Sequence, residues 1–192
     1  MPPADNDRQI TPFPGDLWTQ PPITVPARST ATEEVQRIRT PAALHYRYNP
    51  GIAPTVFLRE LAQKRIVGGV CPTSGEVYVP PRGMSPKFGV PTSGTVEVGP
   101  KASITAFCVV HIGFGVNAPP VPFVSALILP DGASVSLYGL IQEIPYDEVR
   151  TGMRVEPVWV DDDQLSTSFE NIKWWRPIDE PDTDPALLKG HM

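Results

Sequence analysis

A chain of 192 residues, 41% hydrophobic and 19% charged, is long enough for one good core with arms at its ends. The net charge is −5, and the sequence shows no basic stripe of the kind an ordinary nucleic-acid binder carries. No apolar run approaches the ~20 residues that a membrane-spanning helix needs.

Residues 1–52 read as an arm. Proline is over-used, with 25 in the chain and thirteen of them before position 82. Pro2, Pro3, Pro12, Pro14, Pro21, Pro22 and Pro26 fix φ and remove amide donors, so neither a helix nor a central strand runs through them. Phe13, Leu17, Trp18 and Ile23 are apolar for a solvated linker. Two readings stand: a disordered tail, or an extended arm that lays Phe13 and Trp18 on a partner. Thr30 to Glu33 fits a capping box and starts a short helix over about 31–39, stopped by Pro41. Met1 to Asp7 lacks the charged-then-apolar pattern of a signal peptide. With two cysteines read as reduced thiols, the expectation is a cytoplasmic protein.

Residues 53–93 read as a helix followed by a broken metal site. Pro54 to about Lys64 is predicted helical, with Phe57, Leu58 and Leu61 on one apolar face and Arg59, Lys64 and Arg65 on the other side. Gly68-Gly69 is expected to end it. The stretch from Gly69 to Gly89 would make two C-x-x-C knuckles if cysteines stood at 74, 85 and 88. Only Cys71 is present, a lone remnant, with Ser74, Ser85 and Phe88 where ligands are expected. One thiolate cannot hold a structural zinc, so no metal and no other cofactor is expected. Packing and hydrogen bonds must hold the segment, with the Phe88 ring filling the metal's place and hydrogen bonds from Ser74 and Ser85 replacing its tethers.

From about 94 the period changes to two. Thr95 to Val98 alternates. Ile104 to Ile112 is nearly apolar throughout and is predicted to be a central strand. Phe123 to Leu129 and Ala133 to Ile141 flank Pro130-Asp131-Gly132, a strong hairpin signal. Arg154 to Val160 makes a last strand. Four or five short antiparallel strands within 94–163 fit a small closed barrel better than a sandwich. Residues 164–192 read as a C-terminal arm. Its tail, Asp179 to Pro185, is acidic and broken by proline, and is expected to be mobile.

The order of these pieces resembles the acyl-CoA-associated OB-fold family, a rubredoxin-like zinc ribbon plus OB-fold also called DUF35. The resemblance runs over about 53–160. It rests on Phe57-Leu58-Arg59-Glu60-Leu61, Gly68-Gly69-Val70-Cys71, Val79-Pro80-Pro81-Arg82, Cys108-Val109-Val110-His111, Pro122-Phe123-Val124, Gly139-Leu140-Ile141 and Gly152-Met153-Arg154-Val155. It implies a mainly β protein: a small OB-fold barrel preceded by a helix and a degenerate, metal-free ribbon. It implies a non-catalytic accessory subunit that binds and stabilises a thiolase-like acyl-CoA enzyme, a thiolase or a lipid-transfer-type aldolase of steroid side-chain breakdown. Such a subunit is expected to help form the CoA or acyl channel within a heterotetramer, because thiolase-like folds dimerise.

The residues themselves offer little chemistry. His111 is the one histidine expected near a core, in a structural role. Ser125, His111 and Asp131 make a triad only on paper, with no nucleophile-elbow pattern. Asp161 to Asp163 lacks the spacing of a calcium loop and reads as a solvated turn. Two features read as contact surface. One is Phe169 to Pro177, where Trp174, Trp175 and Arg176 are residue types of interface hot spots. Phe57, Leu61 and Phe123 join them as interface candidates. The other is Arg59, Arg65 and Arg82, suited to CoA phosphates. Rival readings are a single-strand nucleic-acid-binding OB-fold, which acidity opposes, and a free-standing acyl-CoA-binding protein. No membrane and no nucleic-acid partner is expected.

Overall fold

In chain order, the elements are helix α1 (Ile52–Leu61) and strands β1 (Ile66–Val70), β2 (Val77–Tyr78), β3 (Thr95–Val98), β4 (Ala102–Val110), β5 (Phe123–Pro130), β6 (Leu137–Ile141), β7 (Arg154–Trp159) and β8 (Ile172–Pro177). The computed structural model describes residues 49–113 and 119–190. Most of the proline-rich arm, with Phe13, Trp18, His45 and the helix expected over 31–39, lies outside the described residues, as does His191.

Helix α1 begins two residues before Pro54. Proline is tolerated there because the first-turn amides have no intrahelical acceptor, and the first full bond is the Thr55 amide to the Gly51 carbonyl at 3.1 Å. Phe57 and Leu61 are buried as the period requires. The stop differs from the expected Gly68-Gly69, which lie within β1. Lys64 takes the left-handed conformation at φ 57°. Its amide donates to the Leu61 carbonyl at 3.0 Å and the Arg65 amide to the Glu60 carbonyl at 3.0 Å. This is a Schellman end built on lysine instead of glycine, and so it left no glycine signal.

Two sheets follow. The ribbon is three-stranded in the order β2-β1-β3, all antiparallel. The strand Thr95–Val98 therefore belongs to the ribbon sheet, not to the barrel. The second sheet closes as β4-β5-β6-β8-β7 and back to β4. Its one parallel pairing is β6 with β8, at Ile141 and Trp175. Five strands with neighbours in the order 1-2-3-5-4-1 make an OB-fold. The closing strand β8 comes from the segment read as a C-terminal arm. Inside sit Ile104, Val124, Ala126, Ile128, Ile141, Val155 and Trp175.

Asp131-Gly132 turns β5 back as expected, with Gly132 at φ 86°. The returning strand starts at Leu137, later than Ala133, because Ser134 is used elsewhere. Its amide donates to the Val77 carbonyl at 2.8 Å and its hydroxyl accepts from the Val77 amide at 3.0 Å. This tie joins ribbon to barrel.

The acidic tail is fastened, contrary to the expectation of mobility. Lys101 pairs with Glu180, Arg150 with Asp182, and the Thr183 amide donates to the Gly152 carbonyl at 2.8 Å. Leu188 is buried. Carboxylates spaced between prolines find the cations of the loops that lead into β4 and β7 instead of water.

Candidate functional site

The barrel wall has two chemically different halves. On β7 and β8 the outer positions carry Arg154, Glu156, Lys173 and Arg176, and Arg176 donates to Glu156 at 2.7 and 2.9 Å. None of the residues of β4, β5 and β6 is Asp, Glu, Lys or Arg. Along β5 the buried residues are Val124, Ala126, Ile128 and Pro130, so Phe123, Ser125, Leu127 and Leu129 face outward. Register places Ala106, Leu127 and Tyr138 in one outer row, Cys108, Ser125 and Leu140 in the next, and Val110 beside Phe123 at the end. Tyr138 is 80% exposed and Cys108 is exposed, while Leu127 and Leu140 are half-buried. Surface strands ordinarily place charge on the solvent face, and this face, three strands wide, carries none.

At the end of this face Phe123 lines a groove of about 400 Å³ with Pro119, Pro120, Pro122, Ile144 and Tyr146. His111 stands here, exposed, edge-on to the Tyr146 ring at 6.0 Å. The expected core position for His111 is thus corrected. Beyond Ile104, β4 pairs only with β5, so its distal half projects past the barrel, and Phe107 is 37% exposed. The paper triad is not assembled. Asp131 lies six residues along β5 from Ser125, roughly 20 Å of extended chain, and it accepts from Arg154 at 2.7 and 2.5 Å.

The other sequence-marked residues separate by location. Phe57, Leu61 and Trp175 were expected at an interface. They are 1%, 0% and 1% exposed, inside the chain's own core, and offer no contact surface. Trp174 lies on the outside of β8, its indole N–H donating to Glu143 at 2.7 Å. Arg176 is held by Glu156. Of the arginines proposed for CoA phosphates, Arg65 donates to Glu60 at 2.7 Å, Arg82 stands 5.7 Å from the centre of the Tyr78 ring, and Arg59 is exposed with no ion pair among the described residues. They form no common cluster of ligands to a phosphate in these contacts. Asp162 pairs with Lys64 from an exposed turn.

In the ribbon Cys71 and Ser85 are buried, while Phe88 is 48% exposed. The aromatic ring therefore does not fill the metal's place, contrary to expectation. Burial raises the Cys71 thiol, but the polar groups around it, the Ser74 and Ser85 hydroxyls and then the Ser74 and Thr73 amides, outweigh it and bring the pKa to about 7. A structural zinc needs four soft or imidazole donors. One cysteine with two serine hydroxyls does not fit it, and no group of three His, Cys, Asp or Glu converges among the described residues.

The barrel defines the chain as an OB-fold protein with a ribbon in front. Residues 95–160 match the family model of the ChsH2 C-terminal OB-fold domain. A chain of the solved structure described as "Ltp2-ChsH2(DUF35) aldolase" superposes with a TM-score of 0.51 at 21% identity, covering 68% of this chain and 98% of that one. A DUF35-family protein of unknown function from Sulfolobus solfataricus gives a TM-score of 0.50 at 21% identity, covering 66% of this chain and 84% of its own. Comparison with curated proteins gives no match. The resemblance to the DUF35 family and the mainly β, OB-barrel fold are borne out by these comparisons. No helix among the described residues is long and apolar enough to cross a membrane.

Proposed function

We propose that this chain is a non-catalytic accessory subunit that docks on a thiolase-like acyl-CoA enzyme through the uncharged outer face of β4, β5 and β6. The observation that carries the reading is the division of the barrel wall: ion-paired charges on β7 and β8, and none on the other three strands. Burying an uncharged face costs little desolvation, whereas burying a charged one costs several kcal/mol per unpaired ion, on the order of magnitude known for buried ions. The match of 95–160 to the ChsH2 domain supports this class of partner, since a chain similar in fold is part of the Ltp2-ChsH2 aldolase. The scattered placement of His111, Ser125 and Asp131 agrees with chemistry supplied by that partner. The partner's dimer with two copies of this chain gives the heterotetramer, and Phe123 at the mouth of the proline-lined groove stands nearest the acyl channel in this reading.

The test is to isolate the chain from its native extract, identify what accompanies it, and weigh the complex. A thiolase-like subunit in equal amount, at the mass of a heterotetramer, supports the proposal. A free monomer that by itself binds CoA or turns over a thioester would replace it with a free-standing acyl-CoA protein.

A further inference from the structure

The two turns of the ribbon are built alike. In the first, the Cys71 amide donates to the Glu76 carbonyl at 2.8 Å and the Gly75 amide to the Cys71 carbonyl at 2.9 Å. In the second, the Ser85 amide donates to the Val90 carbonyl at 2.8 Å and the Gly89 amide to the Ser85 carbonyl at 2.9 Å. Gly75 and Gly89 both sit in the left-handed region, at φ 74° and 64°. The backbone thus keeps both knuckles although the donor set for zinc is gone.

Something must still tie one turn to the other, because two short loops on a narrow sheet bury little apolar area of their own. The side chains that cross between them are polar. Tyr78 is buried, and its hydroxyl donates to Glu76 at 2.9 Å and shares a hydrogen bond with the buried Ser85 hydroxyl at 3.1 Å. Lys87 of the second turn forms an ion pair with Glu76 of the first. The Ser74 hydroxyl also donates to Glu76 at 3.1 Å. Glu76 therefore gathers three donors, from the first turn, the second turn and the strand between them.

We propose that this chain closes its ribbon with a hydrogen-bonded clasp of Tyr78, Ser85, Glu76 and Lys87 in place of a bound metal. The buried Tyr78 to Ser85 bond is the inner half of the clasp, where low polarity makes a hydrogen bond stronger. The Glu76 to Lys87 pair is the outer half; Lys87 is largely exposed, so it contributes less. The proposal concerns how the ribbon holds its shape and is independent of the partner role.

The experiment uses the full chain. Metal content and thermal melting are measured with and without a chelator, and hydrogen exchange is followed at the Gly75 and Gly89 amides in wild type, Tyr78→Phe, Ser85→Ala and Lys87→Met. The expected result is far less than one metal per chain, melting unmoved by the chelator, and exchange at both glycines about tenfold faster in Tyr78→Phe, as loss of one hydrogen bond predicts. Exchange at Ala126 in the barrel should not change. If Tyr78→Phe unfolds the whole chain, Ser85→Ala and Lys87→Met carry the comparison. Stoichiometric zinc, a chelator-dependent fall in melting temperature, or unchanged exchange at both glycines in all three variants would overturn it.

Discussion

The Trp175 indole occupies the space that a side chain at position 139 would fill: a Cβ on Gly139 would lie 2.6 Å from Trp175 Cδ1 and 2.7 Å from Ile128 Cδ1. The closing pair of the barrel, β6 with β8, is made at this spot. Gly139→Ala is therefore expected to destabilise the chain by about 1–3 kcal/mol, the usual cost of overpacking a filled core. At roughly 2–4 °C per kcal/mol for a chain of this size, melting should fall by several degrees. Trp175→Ala should cost more, about 3–5 kcal/mol, by leaving a cavity. Calorimetry on both variants checks the order.

Arg154 locks the tail to the hairpin. It is largely buried and donates to Asp131 through two nitrogens, to the Ser103 hydroxyl at 2.8 Å and to Glu180 at 3.3 Å. Arg154→Met keeps the stem and removes these bonds, and is expected to cost about 1–2 kcal/mol. Proteolysis after residue 178 should become faster in the variant.

The ion pairs of the tail and of the ribbon set a pH dependence. Lys101, then Arg154, hold the Glu180 carboxyl below the ordinary glutamate range. Glu76 is likewise held down, by Lys87 first and then Tyr78. A depressed carboxyl contributes stability that is present above its unfolded pKa, about 4.3, and is lost as pH falls through the lower folded value. Denaturant midpoints should therefore be flat from pH 7 to about 5 and fall below about 4. In Glu180→Gln the fall should be shallower. A midpoint that rises on acidification would contradict the assignment.

Local signals in the sequence were read well where the cause is local. Asp131-Gly132 announces its turn because glycine alone sits easily at φ 86°, and Phe57 and Leu61 announce a buried helix face by spacing. The family resemblance named Gly139-Leu140-Ile141 without giving the reason, which is the packing of Trp175 on a strand remote in sequence. Strand β8 escaped because its alternation is broken. The register shifts between Val158 and Trp159, and Val158 pairs with Trp174 while Trp159 pairs with Ile172, so Lys173 is bulged out. Ile172 to Pro177 then reads as an aromatic patch rather than a strand. Trp175 went inward and Trp174 outward, which no periodicity in six residues decides. The uncharged face of the barrel was also missed. Ile104 to Ile112 alone reads as a buried central strand and the next two as a hairpin, and only the register shows which of their residues share an outward face.

That face predicts how the partner is lost. Tyr138 is exposed on β6, at one edge of it, and Cys108 is exposed on β4, at the other. Tyr138→Glu and Cys108→Glu place one charge on a surface proposed to be buried, and neither fills a core position. Each is expected to leave melting within about 0.5 kcal/mol of wild type, as for surface substitutions. Each should weaken co-purification of the thiolase-like subunit tenfold or more, because an unpaired buried charge costs well over 1.4 kcal/mol. Glu156→Gln, on the charged half, is the control and should not affect the complex. Retention of the partner by both glutamate variants would place the interface elsewhere.

The face also makes a prediction about the nucleic-acid reading of the fold. OB-folds that hold single strands do so on the equivalent of β5 and β6 and the adjoining loops, with stacked aromatics beside cations that track the phosphates. Here Tyr138 and Phe123 supply rings, but no Lys or Arg lies on β4, β5 or β6, and the chain as a whole is at −5. On this face the counterion release that drives such binding has no cations to act through. Fluorescence anisotropy with a labelled single-stranded oligonucleotide is expected to find no saturable binding in the micromolar range at low salt. A variant with Ser125→Lys and Tyr138→Lys would add two cations to the face and should give at most weak binding that disappears as salt is raised. Tight, salt-dependent binding by the unaltered chain would mean that phosphate contacts come from another surface, and the uncharged face would lose its standing as the functional one.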